Sequence, residues 1–148
     1  MNNKQKTVKQ YLAEKGEYVA TTSGVSMYPL LKDKQYAVKI VTAKGRLKKY
    51  DVALFCRGKQ LVLHRVIKVY PDKYYIRGDN CEGGEYVEDS QILGVLAEIN
   101  GKNRHINITD TSYKIYSHLT VFFFPARYAF KKTYRFAKRI ARRVLKGK

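Results

Sequence analysis

A serine in a turn of small residues is the first place in this sequence where chemistry could occur. Residues 23–31 read Ser-Gly-Val-Ser-Met-Tyr-Pro-Leu-Leu, with Ser26 near the centre. Gly24 lets the backbone come close to a ligand, and Pro29 stiffens the chain where it leaves the turn. Because the same residue types are ordinary in surface loops, these residues alone predict either a nucleophile or a plain turn.

A histidine is the second requirement, because a serine hydroxyl becomes an effective nucleophile only when a nearby base accepts its proton. Of the three histidines, His118 lies in the tail and His105 lies in a polar stretch typical of a surface strand. His64 lies in the middle of an apolar strand pattern. There it either packs as a neutral core histidine or points into a site.

The spacing of apolar residues predicts the elements that would position these side chains. Residues 4–15 have helical spacing and end at Gly16. Alternating patterns predict strands over 17–22, 35–42, 51–57, 60–70, 74–77, 91–99 and 104–108. The pair Asn100-Gly101 predicts a two-residue hairpin turn. Many short strands without a long helix between them predict a mainly β, sandwich- or barrel-like domain.

The last quarter of the chain has a different character. Apolar and basic residues alternate with helical period over 127–146, which predicts a basic amphipathic helix, and an aromatic run at 121–124 precedes it. The sequence thus divides into an N-terminal helix at 1–16, a β-rich domain at 17–111 and a basic aromatic tail at 112–148.

Charge is concentrated in this tail. The net charge is +18; residues 1–111 carry 19 Lys+Arg and 12 Asp+Glu, whereas residues 112–148 carry 11 Lys+Arg and no acid. Such asymmetry indicates an anionic partner, either a lipid surface or nucleic acid.

No segment predicts export or a membrane span. Residues 1–18 are polar, and the uncharged stretch 115–126 has 12 residues, against about 20 needed to cross a bilayer. We therefore expect a cytoplasmic protein. Cys56 and Cys81 are predicted to be reduced thiols rather than a disulfide, and their spacing fits no metal site.

Three blocks together resemble the signal peptidase I type of serine peptidases. They are Gly-Val-Ser-Met-Tyr-Pro-Leu at 24–30, Leu-His-Arg-Val at 63–66 and Gly-Asp-Asn at 78–80, and their order and spacing are similar to the family's. The resemblance covers roughly residues 15–105. It implies an all-β catalytic domain that hydrolyses a peptide bond through an acyl-enzyme, with no cofactor.

The same resemblance implies roles for single residues. Ser26 is the nucleophile, Met27 packs beneath it, and His64 is the general base where many bacterial members carry a lysine. Asp79 either orients the imidazole or holds the glycine turn. The backbone N–H of Ser26 is the expected oxyanion donor. The residues predicted for the oxyanion and substrate-binding part of the site are Gly24, Val25, Met27 and Pro29.

Two of the departures from the family bear directly on function. Its later acid is not evident, so that Glu82 or Glu85 could substitute, and its N-terminal membrane anchor is absent. We therefore expect the tail to hold the protein peripherally on the anionic inner face of the cell membrane. The alternative is that the aromatic run packs on the β domain. The residues expected to contact lipid are Phe122, Phe123, Phe124, Lys131, Lys132, Arg135, Lys138, Arg139, Arg142 and Arg143.

Two other functions stay open. One is a binding module whose tail contacts nucleic acid, like the self-cleaving repressors of the same clan. Against it, 16 N-terminal residues are too short for a helix-turn-helix, and no Ala-Gly or Cys-Gly dipeptide precedes Ser26. The other is a membrane-surface scaffold that has lost catalysis, suggested by the missing acid.

Overall fold

The computed structural model describes residues 3–146, apart from the side chains at positions 4, 6, 7, 141 and 143–146. Three helices and eight strands are formed in this part of the chain. The helices are α1 (Asn3–Lys15), α2 (Thr111–Phe122) and α3 (Phe124–Lys146). The strands are β1 (Glu17–Thr21), β2 (Tyr36–Val41), β3 (Val52–Arg57), β4 (Gln60–Val69), β5 (Lys73–Arg77), β6 (Glu85–Glu88), β7 (Ile92–Gly101) and β8 (Arg104–Asn107).

All eight strands belong to one antiparallel sheet, which confirms the prediction of a mainly β domain. The strand order is β1-β2-β7-β3-β4-β5-β6, and β8 pairs with β7. The order is not sequential, because β7 returns to lie between β2 and β3. Strands β3 and β4, one of which carries His64, are therefore central in the sheet.

Apolar side chains cover both faces of this sheet. One cluster joins Val8 and Leu12 of α1 to residues of β2, β3 and β7, and the other surrounds Phe55 and Ile76. Strand β3 contributes to both clusters, with Leu54 on one side and Phe55 on the other. Burial on both faces explains why its sequence is continuously apolar rather than alternating.

The predicted first helix and its end are confirmed. Gly16 has φ of 72°, in the left-handed region that favours glycine, and its N–H donates to the carbonyl of Leu12 at 3.0 Å. The predicted position of the two-residue hairpin turn is wrong. Gly101 pairs with Arg104, so the turn between β7 and β8 lies at residues 102–103, and Asn100 belongs to β7. Strand β6 was not predicted, because four residues with two carboxylates carry little apolar signal.

The predicted basic amphipathic helix is present as α3, but the preceding segment forms a separate helix that sequence analysis missed. Helix α2 buries Tyr113, Ser117 and Thr120, while Ile115 and Leu119 are exposed. Its buried face is polar and its exposed face is apolar, so the usual pattern was reversed. No helix within residues 3–146 is long and apolar enough to cross a membrane.

Candidate active site

Ser26 and His64 line the same cleft, which has a volume of about 650 Å³. Small-molecule binding pockets in proteins commonly have volumes in this range. Its walls combine aliphatic side chains from β1, β2 and β4 with a charged end formed by Arg57 and Glu85. The cleft thus joins two predicted site residues that are 38 positions apart in the sequence.

The serine turn is held by buried apolar side chains and by hydrogen bonds. Met27 and Leu30 are buried in the core, and the Gly24 N–H donates to Asp33 Oδ1 at 2.7 Å. Asn80 binds the turn twice: its N–H donates to the Ser26 carbonyl at 2.8 Å, and its side-chain amide donates to the Val25 carbonyl at 3.1 Å. Two of the sequence blocks, the serine turn and Gly-Asp-Asn, are therefore bonded directly to each other.

Gly78 lies where the three blocks meet. A Cβ atom at this position would come within 2.6 Å of the Ser26 carbonyl, 2.8 Å of Cys81 Sγ and 2.9 Å of His64 Nε2. No side chain fits there without moving the backbone of the serine turn. Glycine at position 78 therefore allows Nε2 of His64 and the backbone of the serine turn to come close together. No hydrogen bond among the described residues joins His64 to Ser26.

His64 is 6 % exposed, and its other ring nitrogen, Nδ1, finds no hydrogen-bond partner in the described chain. The nearest carboxylate oxygen is Glu85 Oε1, at 3.7 Å from Nδ1. Burial lowers the pKa of His64 below its ordinary value of 6.5, and the positive charge of Arg57 lowers it further, against the opposing charges of Glu85 and Asp79. The imidazole is therefore neutral at neutral pH, which is the form that accepts a proton.

Glu85 is held in place by Arg57 of β3. Nε of Arg57 donates to Glu85 Oε2 at 2.7 Å, and a second nitrogen of the guanidinium contacts Oε1. Glu82, the other predicted substitute acid, pairs with Arg135 of α3. Of the carboxylates considered from the sequence, Glu85 is therefore the one that faces Nδ1 of His64.

Asp79 is buried beside the site, but its partner is Arg65. Nε and Nη2 of Arg65 donate to its two oxygens, each at 2.8 Å, and the Tyr116 hydroxyl donates to Oδ2 at 3.1 Å. No hydrogen bond in the described chain joins Asp79 to His64. This favours the second predicted role, holding the glycine turn, over orienting the imidazole.

Arg65 was not predicted as a site residue, although an arginine inside an apolar strand was a usable signal. It is fully buried, and its Nη1 donates to Ser117 Oγ at 2.8 Å and to the Tyr50 carbonyl at 3.0 Å. Burial alone would lower its pKa, but the hydrogen bonds and charge of Asp79 outweigh this and raise it. Burial and the charge of Asp79 raise the pKa of Tyr116 to about 12. This network ties α2 to the turn behind the serine.

The residues predicted around the oxyanion and substrate are only partly at the cleft. Gly24 and Met27 line it, whereas Val25 is 62 % exposed and, like Pro29, is not among its lining residues. The N–H of Ser26, the expected oxyanion donor, donates to no described residue. The described residues contain no group of three or more His, Cys, Asp or Glu that could hold a metal ion. No family model and no curated protein matches this chain.

Proposed function

We propose that the protein is a serine endopeptidase of the signal-peptidase type, with Ser26 as nucleophile and His64 as general base. The observation that carries this proposal is the convergence of the serine turn and His64 Nε2 at Gly78, in one cleft. The resemblance of the three sequence blocks to the family supports it. So does the neutral, buried state of the imidazole.

The reaction proceeds in two steps. His64 Nε2 accepts the proton of Ser26 Oγ as this oxygen attacks the substrate carbonyl, and the Ser26 N–H stabilises the resulting oxyanion. The imidazolium returns the proton to the leaving amine, which leaves an acyl-enzyme. Water, deprotonated by the same imidazole, then releases the acid and restores Ser26. Glu85 stabilises the imidazolium from the Nδ1 side, and Arg65 and Asp79 hold the turn.

The full-length chain incubated with a mixed peptide library tests the activity. Mass spectrometry is expected to detect new termini at a limited set of sites, because the shape and lining of the cleft select side chains. Cleavage that requires an added metal, or no cleavage of any peptide or precursor protein, would contradict the proposal and favour a catalytically silent binding module.

The pH dependence of kcat/KM is expected to report His64. Activity should fall as the pH drops through the pKa of the free enzyme's base, with a midpoint below 6.5, because this pKa is lowered. Arg57→Gln removes a positive charge, so the midpoint should move to higher pH. Glu85→Gln removes the negative charge nearest Nδ1, so the midpoint should move to lower pH.

These two variants control for each other, since each breaks the same ion pair but changes the charge near His64 in the opposite direction. Shifts of equal sign would indicate a general disturbance of the site. An acid limb that neither variant moves would exclude His64 as the titrating base.

A further inference from the structure

Helices α2 and α3 carry several aromatic and aliphatic side chains that are exposed in the described chain. Phe122 and Phe130 are 75 % and 73 % exposed, and Phe136 is 61 % exposed. Leu119 of α2 and Ile140 of α3 are each about half exposed. So much exposed aromatic surface is unusual on a monomer and marks an interaction site.

The other side of α3 is fixed to the β domain. The ring of Phe124 stacks on the guanidinium of Arg77, with 3.1 Å between the guanidinium carbon and the ring centroid. Lys131 Nζ donates to Asn80 Oδ1 at 2.6 Å, and Arg135 pairs with Glu82. Three residues that the sequence predicted to contact lipid therefore have partners in the β domain: Lys131 contacts Asn80, Arg135 contacts Glu82, and half-buried Phe124 contacts Arg77.

The cations that remain exposed lie on α3, the helix that carries Phe130, Phe136 and Ile140. Lys132, Lys138, Arg139 and Arg142 are all exposed, whereas the side chain of Arg143 lies outside the described residues. Residues 112–148 contain no acidic residue that could neutralise them. An aromatic face flanked by unneutralised cations is the pattern of a helix that lies in the headgroup region of an anionic bilayer.

We infer that the apolar face of α2 and α3, which we call the docking face (Leu119, Phe122, Phe123, Phe130, Phe136 and Ile140), inserts into the surface of an anionic lipid bilayer. A second copy of the chain is a poorer occupant, because it would bring two segments of net charge +11 together. Nucleic acid would engage the cations but leave the aromatic rings in water.

Docking in this way would place the cleft next to the bilayer. Lys131 of α3 is hydrogen-bonded to Asn80, and Asn80 is hydrogen-bonded to the Ser26 carbonyl. The position of α3 on the bilayer therefore also fixes the position of the serine turn. If the proposed peptidase activity holds, and this step rests on it, the substrate is a peptide that itself lies on, or emerges from, the membrane surface.

Co-sedimentation of the full-length chain with lipid vesicles tests the docking. The vesicles are phosphatidylcholine alone, or phosphatidylcholine mixed with phosphatidylglycerol. We expect binding to the anionic vesicles and little to the neutral ones, with partitioning weakened about tenfold by Phe130→Ser or by Phe136→Ser. The matched control is Tyr86→Ser on β6, since Tyr86 is as exposed as Phe136, and it should bind like the wild type.

Charge is tested in the same assay. Removal of one cation near the lipid surface should weaken partitioning about fivefold. Lys132→Gln, Lys138→Gln and Arg139→Gln combined should therefore weaken it on the order of a hundredfold. The control removes the same charge from the β domain, with Lys44→Gln, Lys102→Gln and Arg104→Gln. Ser26→Ala should pellet like the wild type, which separates docking from the proposed catalysis.

Three results would overturn the inference. One is binding that is equal on neutral and anionic vesicles or that is unaffected by Phe130→Ser and Phe136→Ser. Another is a dimer, seen by light scattering, that these substitutions dissociate, because it would assign the docking face to a second copy. The third is salt-sensitive binding of duplex DNA without binding to vesicles.

Discussion

Substitution of Ser26 by alanine is expected to abolish peptide hydrolysis, with kcat reduced by at least about 10⁴-fold. Alanine removes the hydroxyl of the proposed nucleophile, which lines the cleft together with His64, while the buried neighbours Met27 and Leu30 remain in place. His64→Ala should have a loss of the same order. Because nucleophile and base act as a unit, the double variant should be no worse than either single one.

The chain offers a matched control within the same turn. Ser23 also lines the cleft and is exposed, so Ser23→Ala removes a hydroxyl at the same substrate-facing surface without touching the proposed nucleophile. It should retain activity, and both serine variants should unfold at the wild-type temperature. If Ser26→Ala kept cleaving while Ser23→Ala did not, the nucleophile would be misassigned. If both kept cleaving, no serine of this turn would act as the nucleophile.

The sequence was informative where local rules and tertiary packing agree. The alternation of β2 and the end of α1 at Gly16 follow from side-chain period and backbone freedom, so their predicted positions hold. The pairing of Ser26 with His64 could be proposed because the resemblance linked blocks that local patterns cannot relate. That they line one cleft became visible only in the folded chain.

The sequence was less informative where a residue's role depends on a distant partner. The sequence does not decide whether Asp79 contacts His64 or Arg65. These two residues are adjacent on β4, so their side chains point to opposite faces of the sheet, and only the folded structure shows which face Asp79 lies on. Helix α2 was not predicted for a related reason. Ser117 is a polar residue of this helix that is buried because it accepts a hydrogen bond from Arg65, so its polarity wrongly indicated an exposed position. Glu85 lies on β6, whose formation depends on pairing with β5.

Arg65→Met is expected to lower the free energy of unfolding by about 3–5 kcal/mol, because it leaves the buried carboxylate of Asp79 without its counter-charge. The Arg65 and Asp79 side chains are 0 % and 1 % exposed, so water cannot replace the lost partner. Methionine keeps much of the volume of the arginine stem, which limits the contribution of a cavity. Urea denaturation followed by circular dichroism measures the change.

Arg57→Met is the matched control, because it removes the same side chain from an ion pair that is largely in water. The Arg57 and Glu85 side chains are 46 % and 30 % exposed, and exposed pairs contribute about 0–1 kcal/mol. If both variants lost the same stability, the Arg65–Asp79 pair would contribute no more than a surface contact. Replacing both partners, as Arg65→Met with Asp79→Leu, should recover part of the loss, since no uncompensated charge stays buried.

That double variant also separates stability from positioning. It should fold, yet the Gly78–Asn80 turn would no longer be held through Asp79 to Arg65 and α2, so the bond from Asn80 to the Ser26 carbonyl loses its support. We therefore expect kcat to stay well below the wild-type value at temperatures where the variant is fully folded. Recovery of kcat together with stability would show that the ion pair only stabilises the fold and does not position the serine turn.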